Sequence, residues 1–158
     1  QRLVSFGIGP LMKAAFDEIF RSPFVARVMM AELDPVEGGD VFSTIDADGS
    51  FTQCGRVAAI SGSEESAHAM TEKLREADEN LPFEQALGVA LEVWGLGRLV
   101  LDAEEEQEPG ETEVREFLKG GLQGLKVEVA VLDRERTVKS KFSLLAEDHL
   151  PLASYIEA

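Results

Sequence analysis

The chain has 158 residues, is 44% hydrophobic and contains one cysteine. That suffices for one domain with a core, is too short for two ordinary ones, and excludes both disorder and a disulfide framework. Fifteen basic against thirty acidic residues leave a net charge of −15, which sets nucleic acid and anionic membranes aside as partners because both repel such a surface.

In chain order, Leu11, Met12, Ala15, Phe16, Ile19 and Phe20 recur at helical spacing, with Lys13, Asp17 and Glu18 opposite. Pro23 ends that helix, since it lacks an N–H and restricts the residue before it. Residues 24–33, FVARVMMAEL, alternate only loosely and read as a strand covered on both faces. Pro35 and Gly38-Gly39 turn the chain. Residues 40–46, DVFSTID, alternate as a strand, and DADGS at 46–50 makes a tight turn in which Asp side chains cap the backbone and Gly49 accepts positive φ. The strand returns over 51–60, with Gly55 marking a bulge.

Two helices follow. Ala67, Met70, Leu74 and Ala77 form one apolar stripe. Phe83, Ala86, Leu87, Ala90, Leu91 and Trp94 form another, entered through Pro82 and loosened at its end by Gly95 and Gly97. The span 81–101 is broken by Glu84, Gln85, Glu92, Arg98 and three glycines, so no transmembrane helix is expected. Nor does a secretory signal open the chain, and with a single thiol the expected location is cytoplasmic.

Residues 102–116, DAEEEQEPGETEVRE, carry eight carboxylates and one arginine. Such a run reads as a solvated acidic loop, with a docking segment for a basic partner as the alternative. After Gly120-Gly121, residues 125–133 alternate as a strand, RERT turns the chain, and 138–145 return. Leu150, Ala153, Tyr155 and Ile156 suggest a last amphipathic helix. The order α-β-β-β-α-α-β-β-α is a layered α+β pattern without internal repeats.

The passage AAISGSEESA, 58–67, runs from strand to glycine turn to helix, where backbone N–H groups can hold a phosphate. A Walker-type cradle needs a lysine after its glycines, and Glu64 and Glu65 stand there instead. Ser63 reads as a helix N-cap, with Ser66 three positions on and acidic residues suiting the helix dipole. Asp46–Ser50 resembles half a calcium loop, but glycine falls at the fourth position and Val57 at the twelfth. His68 and His149 lack partners at metal-ligand spacing, Cys54 reads as a structural thiol, and no G-x-S-x-G elbow occurs. No catalytic residue, metal ligand or cofactor is assigned.

Several stretches, in order, resemble the alpha-type subunits of the 20S proteasome, most closely the actinobacterial kind. They are FDEIFRSPFVARVMMAELDP, VFSTIDADGSF, AAISGSEESAHAMTEKLREADENLPFEQALGVALEVW and LKVEVAVLDRERTVKSKF, and with the terminal helix that follows them the resemblance covers roughly residues 11–158. The resemblance implies one domain over 1–158 with an Ntn-hydrolase-type fold, a four-layer α-β-β-α sandwich of antiparallel sheets, incomplete at its N-terminus. Family members begin with a gate segment, a ring-contact helix, two strands and another helix. Against that pattern the chain is either incomplete as given or completed by another polypeptide. Within it, 58–67 is the corner where a sandwich strand enters the helical layer, and 102–116 is a variable acidic loop.

The implied function is a non-catalytic ring subunit that stacks on peptidase rings and helps control substrate entry and activator docking. Its implied partners are copies of itself, beta-type subunits and an ATPase activator. A beta-type peptidase is the first alternative, although that chemistry needs an N-terminal threonine and the sequence has Gln1 and no Gly-Thr dipeptide. An acidic protein-interaction adaptor is the second.

Overall fold

The computed structural model describes residues 4–18, 25–33, 40–103, 109–152 and 155. It is a mixed α+β protein whose sheets are antiparallel, and the chain divides into two compact units, Gln1–Ile60 and Ser61–Ala158.

The first unit opens with a π-helical turn, Val4–Ile8, that runs into helix α1, Gly9–Phe16. Pro10 sits in the first helical turn, where its missing N–H goes unmissed. Ile19, Phe20 and Pro23 lie outside the described residues. Strands β1 (Val28–Leu33), β2 (Asp40–Ile45) and β3 (Phe51–Gly55) form an antiparallel sheet in that order. Its register pairs Val28 with Ile45 and Ile45 with Phe51, placing those side chains and Met30 on one face. Met12 of α1 and Ile8 cover that face over the fully buried Ile45.

The expectation that the first strand is covered on both faces does not hold. Ala31 and Glu32 are exposed, and β1 is an edge strand of the three-stranded sheet. The register slips between Phe42 and Ser43, which face Gly55 and Gln53, so the bulge falls at Cys54-Gly55 as the sequence suggested. With φ at +77°, Gly55 leaves extended geometry and ends β3 there. Residues 57–60 are therefore irregular rather than strand.

In the second unit, α2 spans Glu64–Glu76, α3 Phe83–Asp102 and α4 Glu111–Gly121, followed by a β4 (Val129–Leu132) and β5 (Phe142–Leu145) hairpin. Leu87 and Leu91 of α3, Val114 and Leu118 of α4, and Leu122, Leu150 and Leu152 build the core. At 1% exposure Leu118 is its centre, and burying one such side chain stabilises by about 1.5–3 kcal/mol.

Part of the acidic stretch read as a loop is helical. Residues 104–108 lie outside the described part, but from Glu111 onward the chain is α4. Val114, Phe117 and Leu118 recur at helical spacing, while Glu111 and Glu113 sit at the positive end of the helix dipole. Packing on α3 overrides what carboxylate density suggests.

Gly95 and Gly97 do not loosen α3 either, because the helix runs through both. A Cβ on Gly95 would lie 3.2 Å from side-chain atoms of Leu118 and Val114, and one on Gly97 would lie 2.3 Å from the Met70 sulfur. At these glycines α4 and α2 approach α3 closely.

The late strands are shorter than their alternation suggests. Asp133 accepts the Glu135 N–H at 2.9 Å and closes a turn, so 138–141 belong to the hairpin loop. Beyond Leu145 the chain curls into a 3₁₀ turn, Glu147–His149, and the ladder ends at the Val129–Leu145 pair. Tyr155 is helical, but Ala153 and Ile156 of the expected last helix lie outside the described residues.

Candidate functional site

The serine-rich turn before α2 is engaged internally. Ser63 has extended geometry, and its hydroxyl accepts the Ser66 N–H at 3.1 Å, the N-cap its position suggests. The Ser66 side chain is fully buried, and its hydroxyl donates to the Gly97 carbonyl at 2.7 Å. Since that hydroxyl has one proton, the 2.7 Å contact with Ser61 must be a hydrogen bond donated by Ser61. Of the three hydroxyls, that of Ser66 ties α2 to α3, that of Ser61 supports it, and that of Ser63 caps α2.

The DADGS turn is likewise held by the chain itself. The Asp46 carboxylate pairs with Arg27, and Asp48 accepts the Ser50 N–H at 2.8 Å. That backbone hydrogen bond, more than the weak pull of Lys13, holds the Asp48 carboxyl below the ordinary carboxylate range. Cys54 is half-buried, with its sulfur 3.8 Å from the Thr44 hydroxyl. His68 and His149 are both exposed. Among the described residues, no group of three or more His, Cys, Asp or Glu side chains is placed to hold a metal ion. None of their helices is long and apolar enough to cross a membrane.

What the structure does assemble is a groove of about 860 Å³ on the helices of the second unit. One face of α2 supplies Glu65, His68, Ala69, Glu72, Lys73 and Glu76. From α3 come Glu92, Leu96, Val100 and Leu101, and from α4 Glu111, Val114 and Arg115. Five carboxylates thus face two basic side chains over a largely aliphatic floor.

Both basic groups are already paired. Lys73 lies 2.9 Å from Glu76 and 3.9 Å from Glu111, and Arg115 lies 3.4 Å from Glu92. The hydrogen bond to Glu76, then that carboxylate's charge, holds the Lys73 ammonium above its ordinary range. These pairs are solvent-exposed, and such pairs contribute about 0–1 kcal/mol each. Glu72 pairs with Arg75, and Glu65 meets no cation among the described residues.

Sequence reasoning missed this groove because it missed α4, one of its walls. A signal existed: Glu65, Glu72 and Glu76 recur at helical spacing opposite the Ala67, Met70 and Leu74 stripe.

By fold, then, the chain is a mixed α+β protein with antiparallel sheets, and by site it carries an acidic, apolar-floored groove between helices. Comparison with protein-family models, curated proteins and solved structures gave no match.

Proposed function

We propose that the chain is a non-catalytic structural subunit of a proteasome-like ring, in which its sheets form part of an α-β-β-α sandwich. The observation that carries this is the outer face of the β4–β5 hairpin. Val129 and Leu145 turn inward to the leucine core. On the opposite face Ala130 pairs with Leu144 and Leu132 with Phe142, and Leu144 and Phe142 are 62% and 53% exposed. A hairpin backed by helices and apolar on its other side suits one layer of a sandwich, where sheets pack face to face about 10 Å apart. Exposed apolar surface of that kind suits a contact in an assembly.

In this role the chain packs beside copies of itself, stacks on beta-type subunits in the cytoplasm, and presents acidic surface to an ATPase activator. The order of the four family-like stretches along the chain supports the alpha-type assignment. The acidic groove favours a second reading, a protein-interaction adaptor, which needs no ring.

Native mass spectrometry and electron-microscope images of the protein purified from its source separate the two. Stacked rings holding this polypeptide beside a threonine-bearing partner are expected. A monodisperse single-chain particle would overturn the ring and leave the adaptor.

A further inference from the structure

The groove's occupant can be narrowed by what its walls offer. Apart from Ser63, Ala103 and Pro109 its walls are helices, whose interior backbone groups are bonded within each helix, so the described residues offer no open strand edge along which an extended peptide could add. An occupant must therefore satisfy its own backbone, as a helix does. The floor is aliphatic, formed by Leu96, Val100, Leu101 and Val114. The α2 rim carries Glu65, Glu72 and Glu76, spaced along roughly 16 Å of helix at 1.5 Å per residue. That rim matches two to three turns of a partner helix.

The geometry points to a docking site for a short amphipathic helix of a partner protein, its leucine-like face on the floor and its lysines or arginines along the α2 rim. Charge complementarity decides the sign of the partner. Glu65 meets no cation among the described residues, and the exposed pairs Lys73–Glu76 and Arg115–Glu92 are weak enough to exchange for a partner's cations. Both the groove and the rim lie within the second unit, so the site holds whether or not the chain forms rings.

The test uses the full chain and a fluorescein-labelled designed peptide, helical, with leucines at i, i+4 and i+7 flanked by lysine and arginine. Fluorescence anisotropy is read at low and moderate salt. The peptide is expected to bind at micromolar Kd and to weaken about tenfold from about 0.05 to 0.3 M salt. A scrambled peptide of equal charge should bind at least about tenfold more weakly, since the apolar face is lost.

The triple variant E65Q/E72Q/E76Q should lose about tenfold in affinity with its circular dichroism unchanged. Neutralising Glu84, Glu113 and Glu116, which do not line the groove, should leave affinity within about twofold. Equal binding of ordered and scrambled peptides would overturn the site as mere attraction to an acidic chain. So would an unaffected groove triple variant, or saturable binding of spermine with none of the peptide.

Discussion

A methyl group added at Gly97 tests how closely α2 and α3 approach. The new Cβ would stand 2.3 Å from the Met70 sulfur, 2.7 Å from its Cγ and 3.2 Å from the Ser66 hydroxyl. Ordinary contacts of this kind are about 3.5–4.0 Å, so the thioether must retreat by more than about 1 Å. Met70 has the rotamers to do so, but Ser66 is pinned by its bonds to Ser61 and the Gly97 carbonyl. Overpacking costs about 1–3 kcal/mol, against roughly 1 kcal/mol gained from helix propensity, so Gly97→Ala should destabilise by about 1 kcal/mol.

Gly120 of α4 supplies the control. Its Cβ would meet nothing within 4 Å, and its φ is not positive. Gly120→Ala should therefore stabilise by about 0.5 kcal/mol, propensity alone acting near a helix end. Urea unfolding of both variants should place them roughly 1.5 kcal/mol apart. Making Met70→Ala first removes the obstructing atoms, so Gly97→Ala should then cost about 1 kcal/mol less, measured as a double-mutant cycle. Equal effects at the two glycines, or no coupling to Met70, would refute the close approach.

Gly49 carries φ at +81°, and a Cβ there would lie 2.5 Å from the Gly9 carbonyl oxygen, so Gly49→Ala should lower stability by about 2 kcal/mol or more in thermal unfolding. Ser63→Ala removes the α2 cap and should cost about 1 kcal/mol by urea titration, with loss of amide protection concentrated in the first turn of α2. The Asp48 carboxyl, followed by NMR, should titrate with a midpoint below 3.8 because the folded turn prefers its charged form. Its stabilising contribution is complete above the ordinary carboxylate value and disappears as pH falls through the lowered one. A midpoint at or above 3.8 would mean that the Ser50 hydrogen bond is absent in solution.

Local chemistry was enough to read several elements from the residues alone. The Asp-rich turn with Gly49 specifies the β2–β3 hairpin because backbone capping and positive φ are properties of a few adjacent residues. Ser63 and Pro82 start α2 and α3 for the same kind of reason, and the Gly55 bulge needed only a glycine in an alternating run. Where two distant segments meet, the residues were silent or misleading. Gly95 and Gly97 look like a loosened helix end until Val114, Leu118 and Met70 are packed against them. The acidic run looks like a loop until Val114 and Leu118 find the leucine core, whose burial outweighs the weak repulsion of exposed carboxylates. Strand lengths depended on where the partner strand turned away, and the groove exists only because α2, α3 and α4 converge. Turns and caps are decided by neighbours in sequence, whereas close packing and clefts are decided by neighbours in space, which tertiary structure alone supplies.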